Sequence, residues 1–142
     1  DERERQLLLS ATRRSTRYEI VRALPKNPPK VTRLRDVSTG WKSDFSVERW
    51  SWDVPARTVT QLGVQSGRPN YFHPTEDRPF TINELKRIQA LPDDFVLTGS
   101  FDQKAERIGR MVPPLLTAAI ASQINERIFQ QLKTVSKKTL RK

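Results

Sequence analysis

No cysteine occurs in the 142 residues. Disulfides, thiolate metal sites and a cysteine nucleophile are therefore excluded from this chain. Histidine occurs once, at His73, so a histidine metal cluster or a Ser-His-Asp triad would need partners that this chain mostly lacks, and loop packing is the expected role of that ring. Methionine occurs once, at Met111, and without an initiator the chain reads as a trimmed protein or a piece of a longer one. No apolar run is long enough to span a bilayer, and the charged start does not resemble a signal peptide, so a cytoplasmic protein is the default. Only five glycines are present, and none builds a Walker or Rossmann phosphate loop.

What the chain has in excess is positive charge. The net charge is +10, with +6 over residues 1–42, −2 over residues 43–100 and +6 over residues 101–142. Such a surplus suits a polyanion, most simply nucleic acid, although solvated basic tails give the same arithmetic. With 35% hydrophobic residues, the length allows one modest core.

Leu7, Leu8 and Leu9 mark a first apolar helix, and Thr16 and Glu19 form a capping-box pattern ahead of Ile20, Val21 and Leu24. Pro25 ends that piece, and the proline-rich, basic residues 25–44 read as an extended connector. Thr58, Val59 and Thr60 favour a strand, with Trp50, Val54 and Val59 as core candidates. Thr81 with Glu84, and Ser100 with Gln103, are two further capping boxes, the second opening a helix that Gly109 can terminate. From Pro114, Leu116, Ile120, Ile124, Ile128 and Leu132 recur at every fourth position on one helix. The pairs Glu76-Asp77 and Asp93-Asp94 lie beside prolines, where acids serve turns more often than chemistry.

Between these elements, Arg49, Arg57, Thr58, Thr60, Gln61, Gln65, Arg68, Asn70 and Tyr71 form a run of groups able to meet phosphates or base edges. At these residues the sequence resembles the C-terminal part of DNA (cytosine-5) methyltransferases, in three ordered blocks. Residues 50–61, Trp-Ser-Trp-Asp-Val-Pro-Ala-Arg-Thr-Val-Thr-Gln, are similar to the Ser-Trp-Asp-x-Pro-x-x-Thr segment of the target-recognition region. Residues 78–95, from Arg-Pro-Phe-Thr-Ile-Asn-Glu to Leu-Pro-Asp-Asp-Phe, resemble the ninth conserved block. Residues 108–116, Ile-Gly-Arg-Met-Val-Pro-Pro-Leu-Leu, resemble the tenth. Asn83, Lys86 and Arg110 depart from the family's usual Arg, Ala and Asn.

The resemblance implies an α+β fold: a small mixed domain with short strands around residues 55–75, helices near 2–10, 17–24, 82–90, 101–108 and 114–133, and no Rossmann-like catalytic domain. It implies helices and a basic connector over 1–46, a target-recognition-type region over 47–112, a C-terminal helix over 113–134 and a basic tail over 135–142. Double-stranded DNA is then the partner of Arg49, Arg57, Thr58, Thr60, Gln61, Gln65 and Arg68. S-adenosylmethionine is the cofactor of the intact enzyme, approached by Arg110, Met111 and Val112, and is not expected on this chain alone. The family attacks C6 of a flipped cytosine with a cysteine. The cysteine-free chain is accordingly expected to be inactive by itself and to need a catalytic domain or subunit. The expected setting is prokaryotic or phage-like, within restriction-modification, and homo-oligomer contacts through the last helix are also expected. Two alternatives remain: a non-enzymatic nucleic-acid-binding module, and the small subunit of a split methyltransferase.

Overall fold

A computed structural model describes residues 2–13, 17–33, 47–61, 63 and 69–132, apart from the side chains of 12, 13, 18 and 19. The chain divides into two compact units, Asp1–Met111 and Val112–Lys142. The first is a small mixed α/β unit. It contains α1 (Glu2–Arg13), α2 (Tyr18–Ala23), β1 (Thr32–Arg33), β2 (Glu48–Arg49), β3 (Tyr71–Phe72), α3 (Ile82–Ile88) and α4 (Phe101–Arg110). The second carries α5 (Pro114–Ile124), a π-helical run over Asn125–Phe129, and helix again to residue 132.

The sheet is short and mixed, in the order β1-β2-β3. β1 runs antiparallel to β2, setting Thr32 opposite Arg49 and Arg33 opposite Glu48, and β2 runs parallel to β3. Backbone bonds from Glu48 N to Asn70 O (2.7 Å) and from Trp50 N to Phe72 O (3.1 Å) carry the parallel ladder. β3 thus falls within the expected 55–75 stretch, whereas β1 and β2 fall outside it and Thr58–Thr60 forms no strand. That segment pairs with no strand among the described residues, and Val59 is held in the larger cluster instead. β1 lies inside the expected connector, because pairing with β2 supplies an order that composition does not announce.

Two apolar clusters cover the sheet. Ile20, Val21 and Leu24 from α2 pack with Val47 and Phe72. Trp50, Val59, Phe80, Ile82, Leu85, Leu91, Ala105 and Ile108 form the larger one. Trp50 and Val59 join the core as expected, whereas Val54 is exposed. In α1, Leu8 is buried and Leu7 faces out.

Helix ends follow local chemistry. Thr81 and Ser100 both close reciprocal capping boxes, with Glu84 and Gln103 respectively. The α2 N-cap is Arg17, with no side-chain cap, and Thr16 lies outside the described residues. After α3, Ala90 N bonds Arg87 O and Leu91 N bonds Lys86 O, a Schellman pair that places Ala90 at φ 57 and ends the helix before residue 90. α4 runs through Gly109 to Arg110, so Gly109 is not its terminator. Pro114 opens α5, where a missing N–H costs nothing.

Candidate nucleic-acid interface

The segment after β2 is a ribbon laid over the larger cluster. Trp50 is its first anchor, with ring centroids 5.2 Å from Tyr71 and 5.0 Å from Phe80. Val59 is the second, 4% exposed. Between them the chain has no regular structure, and residues 52–58 all face solvent. Alternation about Val59 turns Thr58 and Thr60 outward. The Thr60 hydroxyl lies 3.0 Å from the Tyr71 hydroxyl.

Gly109 explains how the ribbon is seated. A Cβ built there would stand 2.4 Å from Gln61 N and 2.5 Å from Thr60 C, so only glycine lets the last turn of α4 touch this backbone. Arg110 then closes the contact. Its Nε donates to Gln61 Oε1 at 2.7 Å, and its Nη2 pairs with Glu106 at 2.8 Å. Gly63 works similarly, because a Cβ there would meet the Tyr71 ring at 2.2 Å.

The expected DNA-contacting residues meet different fates. Arg57, Thr58 and Thr60 are exposed and Gln61 is half-buried, on one continuous ribbon. Gln65 and Arg68 lie outside the described residues. Arg49 is wholly buried: its guanidinium donates to the carbonyls of His73, Glu76 and Val21 at 2.8 Å each and to Asp77 at 2.6 Å. It pins α2 and β2 to the loop after β3. Its Nε has no partner among the described residues, but the side chain is wholly buried, so the guanidinium does not reach the surface where a phosphate would lie. Asn70 is engaged through its side-chain oxygen by Arg17.

Behind the ribbon, Arg78 is 2% exposed and sits between two carboxylates. It forks onto Glu84 with two 2.8 Å bonds and onto Glu76 with two of 3.2 Å, while also donating to Pro79 O. Glu84 caps α3 through Thr81 N at 2.7 Å. Burial raises the Glu84 carboxyl's affinity for a proton, but the Arg78 fork and the Thr81 amide outweigh it and hold the group at about 2. α1 joins the same cluster through Arg5 to Glu76 (2.6 Å) and Glu4 to Ile82 N (3.2 Å).

His73 packs in its loop, as expected. Its Nδ1 accepts from the amides of Thr75 and Glu76, both at 3.3 Å, which places the ring proton on Nε2. Burial, followed by the charge of Arg78, pushes its pKa down. The ring is therefore a neutral loop brace. Among the described residues no cluster of His, Cys, Asp and Glu could hold a metal ion, and no helix is long and apolar enough to cross a membrane.

The residues expected near S-adenosylmethionine are Arg110, Met111 and Val112. The Arg110 side chain is committed to Gln61 and Glu106, and Met111 is half-buried against the larger cluster. Val112 is 62% exposed. Sequence reasoning also missed Lys30 and Arg33, which line a groove with Arg57. The pairing of β1 with β2 brings them there, and the only sequence signal was the charge of the connector.

Residues 4–126 match the family described as C-5 cytosine-specific DNA methylase. Among curated proteins, the chain is 34% identical over 103 residues to the type II methyltransferase M.Eco47II of Escherichia coli, covering 72% of this chain and 24% of that protein. It is 44% identical over 62 residues to the putative type II methyltransferase M.MJ0563P of Methanocaldococcus jannaschii, 44% of this chain and 20% of that one. DNA (cytosine-5)-methyltransferase 2 of Arabidopsis thaliana is 29% identical over 89 residues, 63% of this chain and 6% of that protein. The chain thus spans about a quarter or less of the length of these relatives. No solved structure matches.

Proposed function

This chain belongs to the C-5 cytosine-specific DNA methylase family, and on that premise we propose that it is the C-terminal, target-recognition portion of a DNA (cytosine-5) methyltransferase. The observation that carries the reading is the exposed ribbon from Trp50 to Gln61, fixed from beneath by Val59 and Gly109 while Arg57, Thr58 and Thr60 face outward. In this role those three side chains and Gln61 contact duplex DNA, with Gln65 and Arg68 continuing the contact. Arg49 supports the ribbon from inside.

Catalysis belongs to the rest of the enzyme. With no cysteine, this chain cannot form the covalent bond to C6 through which the family methylates C5. Its own part is to hold the duplex while the catalytic part extrudes the base. S-adenosylmethionine supplies the methyl group, held mainly outside this chain, with the backbone at Met111 and Val112 beside it. The partner is a catalytic domain in the same polypeptide or a separate catalytic subunit. A non-enzymatic binding module is the less favoured reading, because a self-sufficient module has no use for an apolar α5 with no buried residue.

Complementation tests the proposal. The chain is mixed with a cysteine-bearing portion of a family enzyme that lacks its own recognition region and tenth block, and methyl transfer from labelled S-adenosylmethionine to duplex DNA is followed. Transfer is expected only in the mixture. A chain that restores no activity yet binds one duplex sequence at nanomolar concentration and physiological salt would instead be a free-standing binder.

A further inference from the structure

A groove of about 640 Å³ opens beside the sheet, lined by Lys30, Val31, Thr32, Arg33 and Arg57. Three of its five residues are cations, drawn from two segments more than twenty positions apart. β1 supplies Arg33, whose register against β2 puts it opposite Glu48. The chain leaving β2 returns with Arg57.

One carboxylate serves both arginines. Glu48, with its side chain 7% exposed, meets Arg33 Nε at 2.8 Å and Arg57 Nε at 3.4 Å. Lys30 is exposed and has no ion-pair partner among the described residues. Arg57 makes no hydrogen bond among them, only its ion pair with Glu48. Three of the lining residues carry positive charge and none of the lining residues is acidic. Binding of both guanidiniums by Glu48 also limits their freedom before any ligand arrives, which lowers the ordering cost of capturing an anion.

We propose that Lys30, Arg33 and Arg57 form a seat for a backbone phosphate of duplex DNA, in which Arg57 of the ribbon is joined by two cations of the connector. The inference rests on the DNA-binding role given above and extends it to the connector, where neither Lys30 nor Arg33 belongs to a family-like block. A phosphate there is bound without regard to base sequence, so the seat sets position and salt sensitivity rather than specificity.

The test is fluorescence anisotropy of a labelled duplex with the 142-residue chain, from 50 to 200 mM salt. Wild type is compared with Lys30→Ala, Arg57→Ala and the double variant. Lys104→Ala, which removes an equal charge on α4 away from the groove, is the control. Each groove variant is expected to weaken binding about 3- to 10-fold and to reduce the slope of log K against log salt by about 1, equally on unrelated sequences. Because Arg57 contacts DNA in either reading, Lys30→Ala decides: if it stays within twofold of Lys104→Ala with an unchanged slope, the seat is overturned whatever Arg57→Ala does, while DNA binding stands. Absence of duplex binding by wild type would overturn the DNA-binding reading, and the seat with it.

Discussion

Around Arg49 and Arg78 the protein buries charge; along α5 it exposes hydrocarbon. Both side chains of the first region are at most 2% exposed. On the last helix Leu115, Leu116, Ile120, Ile124 and Ile128 are between 42% and 70% exposed. The inversion has a physical reason on each side. Arg49 and Arg78 find carbonyls and carboxylates in this chain, so their desolvation is compensated locally. On the last helix these exposed side chains are hydrocarbon, with no polar groups of their own to satisfy. A region that satisfies itself is read best through stability, and one that does not through association.

Removing Arg78 should break the first region most severely. Arg78→Ala leaves Glu76 and Glu84 close together without their common cation and loosens the Glu84 cap on α3. A loss of about 3–5 kcal/mol is expected in urea unfolding. Arg78→Lys keeps the charge but not the fork, and should fall between the two. An alanine variant within 1 kcal/mol of wild type would show that the network is not what holds this region.

Gly109→Ala comes next. Alanine favours a helix interior over glycine by about 1 kcal/mol. Here its Cβ meets the backbone of Thr60 and Gln61 at 2.4 to 2.6 Å, and backbone cannot step aside as a flexible side chain can. The net expectation is a loss of about 2 kcal/mol, together with weaker duplex binding as the ribbon shifts. A stabilised variant would mean that α4 does not seat the ribbon.

Acid should act more mildly on the same network. Glu84 is held at about 2 against an ordinary 4.5, so it favours the folded state above 4.5 and loses that contribution as the pH falls towards 2. His73, also depressed, favours folding above its ordinary 6.5 and begins to oppose it below that. Thermal midpoints should therefore decline slightly below pH 6.5 and more steeply below 4.5. The steeper part is worth about 1–2 kcal/mol, since the Glu84 side chain is 30% exposed. Glu84→Gln should flatten the lower limb and His73→Gln the upper one.

Much of this was legible in the sequence where the signal is local. The Thr81-Glu84 and Ser100-Gln103 boxes, the stop of α2 before Pro25, the start of α5 at Pro114, and the burial of Trp50 and Val59 follow from neighbouring residues. Of the strands, only β3 lies where the sequence placed short strands, around residues 55–75. Each is two residues long, and their partners lie 15 or more positions away, so no alternation could mark them. The same distance hid the role of Arg49. Composition places Arg49 and Arg57 in one class, but Arg49 stands on the central strand, where its neighbours are carbonyls of other segments, while Arg57 stands on the ribbon.

For α5 the expected change in stability is the smallest and the expected change in association the largest. Ile120 is 51% exposed, so its replacement by Glu removes little packing among the described residues. Ile120→Glu should leave the urea midpoint of the isolated chain within about 0.5 kcal/mol of wild type. If the catalytic part of the enzyme covers this helix, the same substitution buries a carboxylate at the junction, and complementation should fall at least about tenfold. If a second copy covers it instead, sedimentation of wild type should show a concentration-dependent dimer that the variant lacks, with complementation spared. A variant that unfolds the isolated chain would end the comparison itself, because α5 would then belong to the protein's own core.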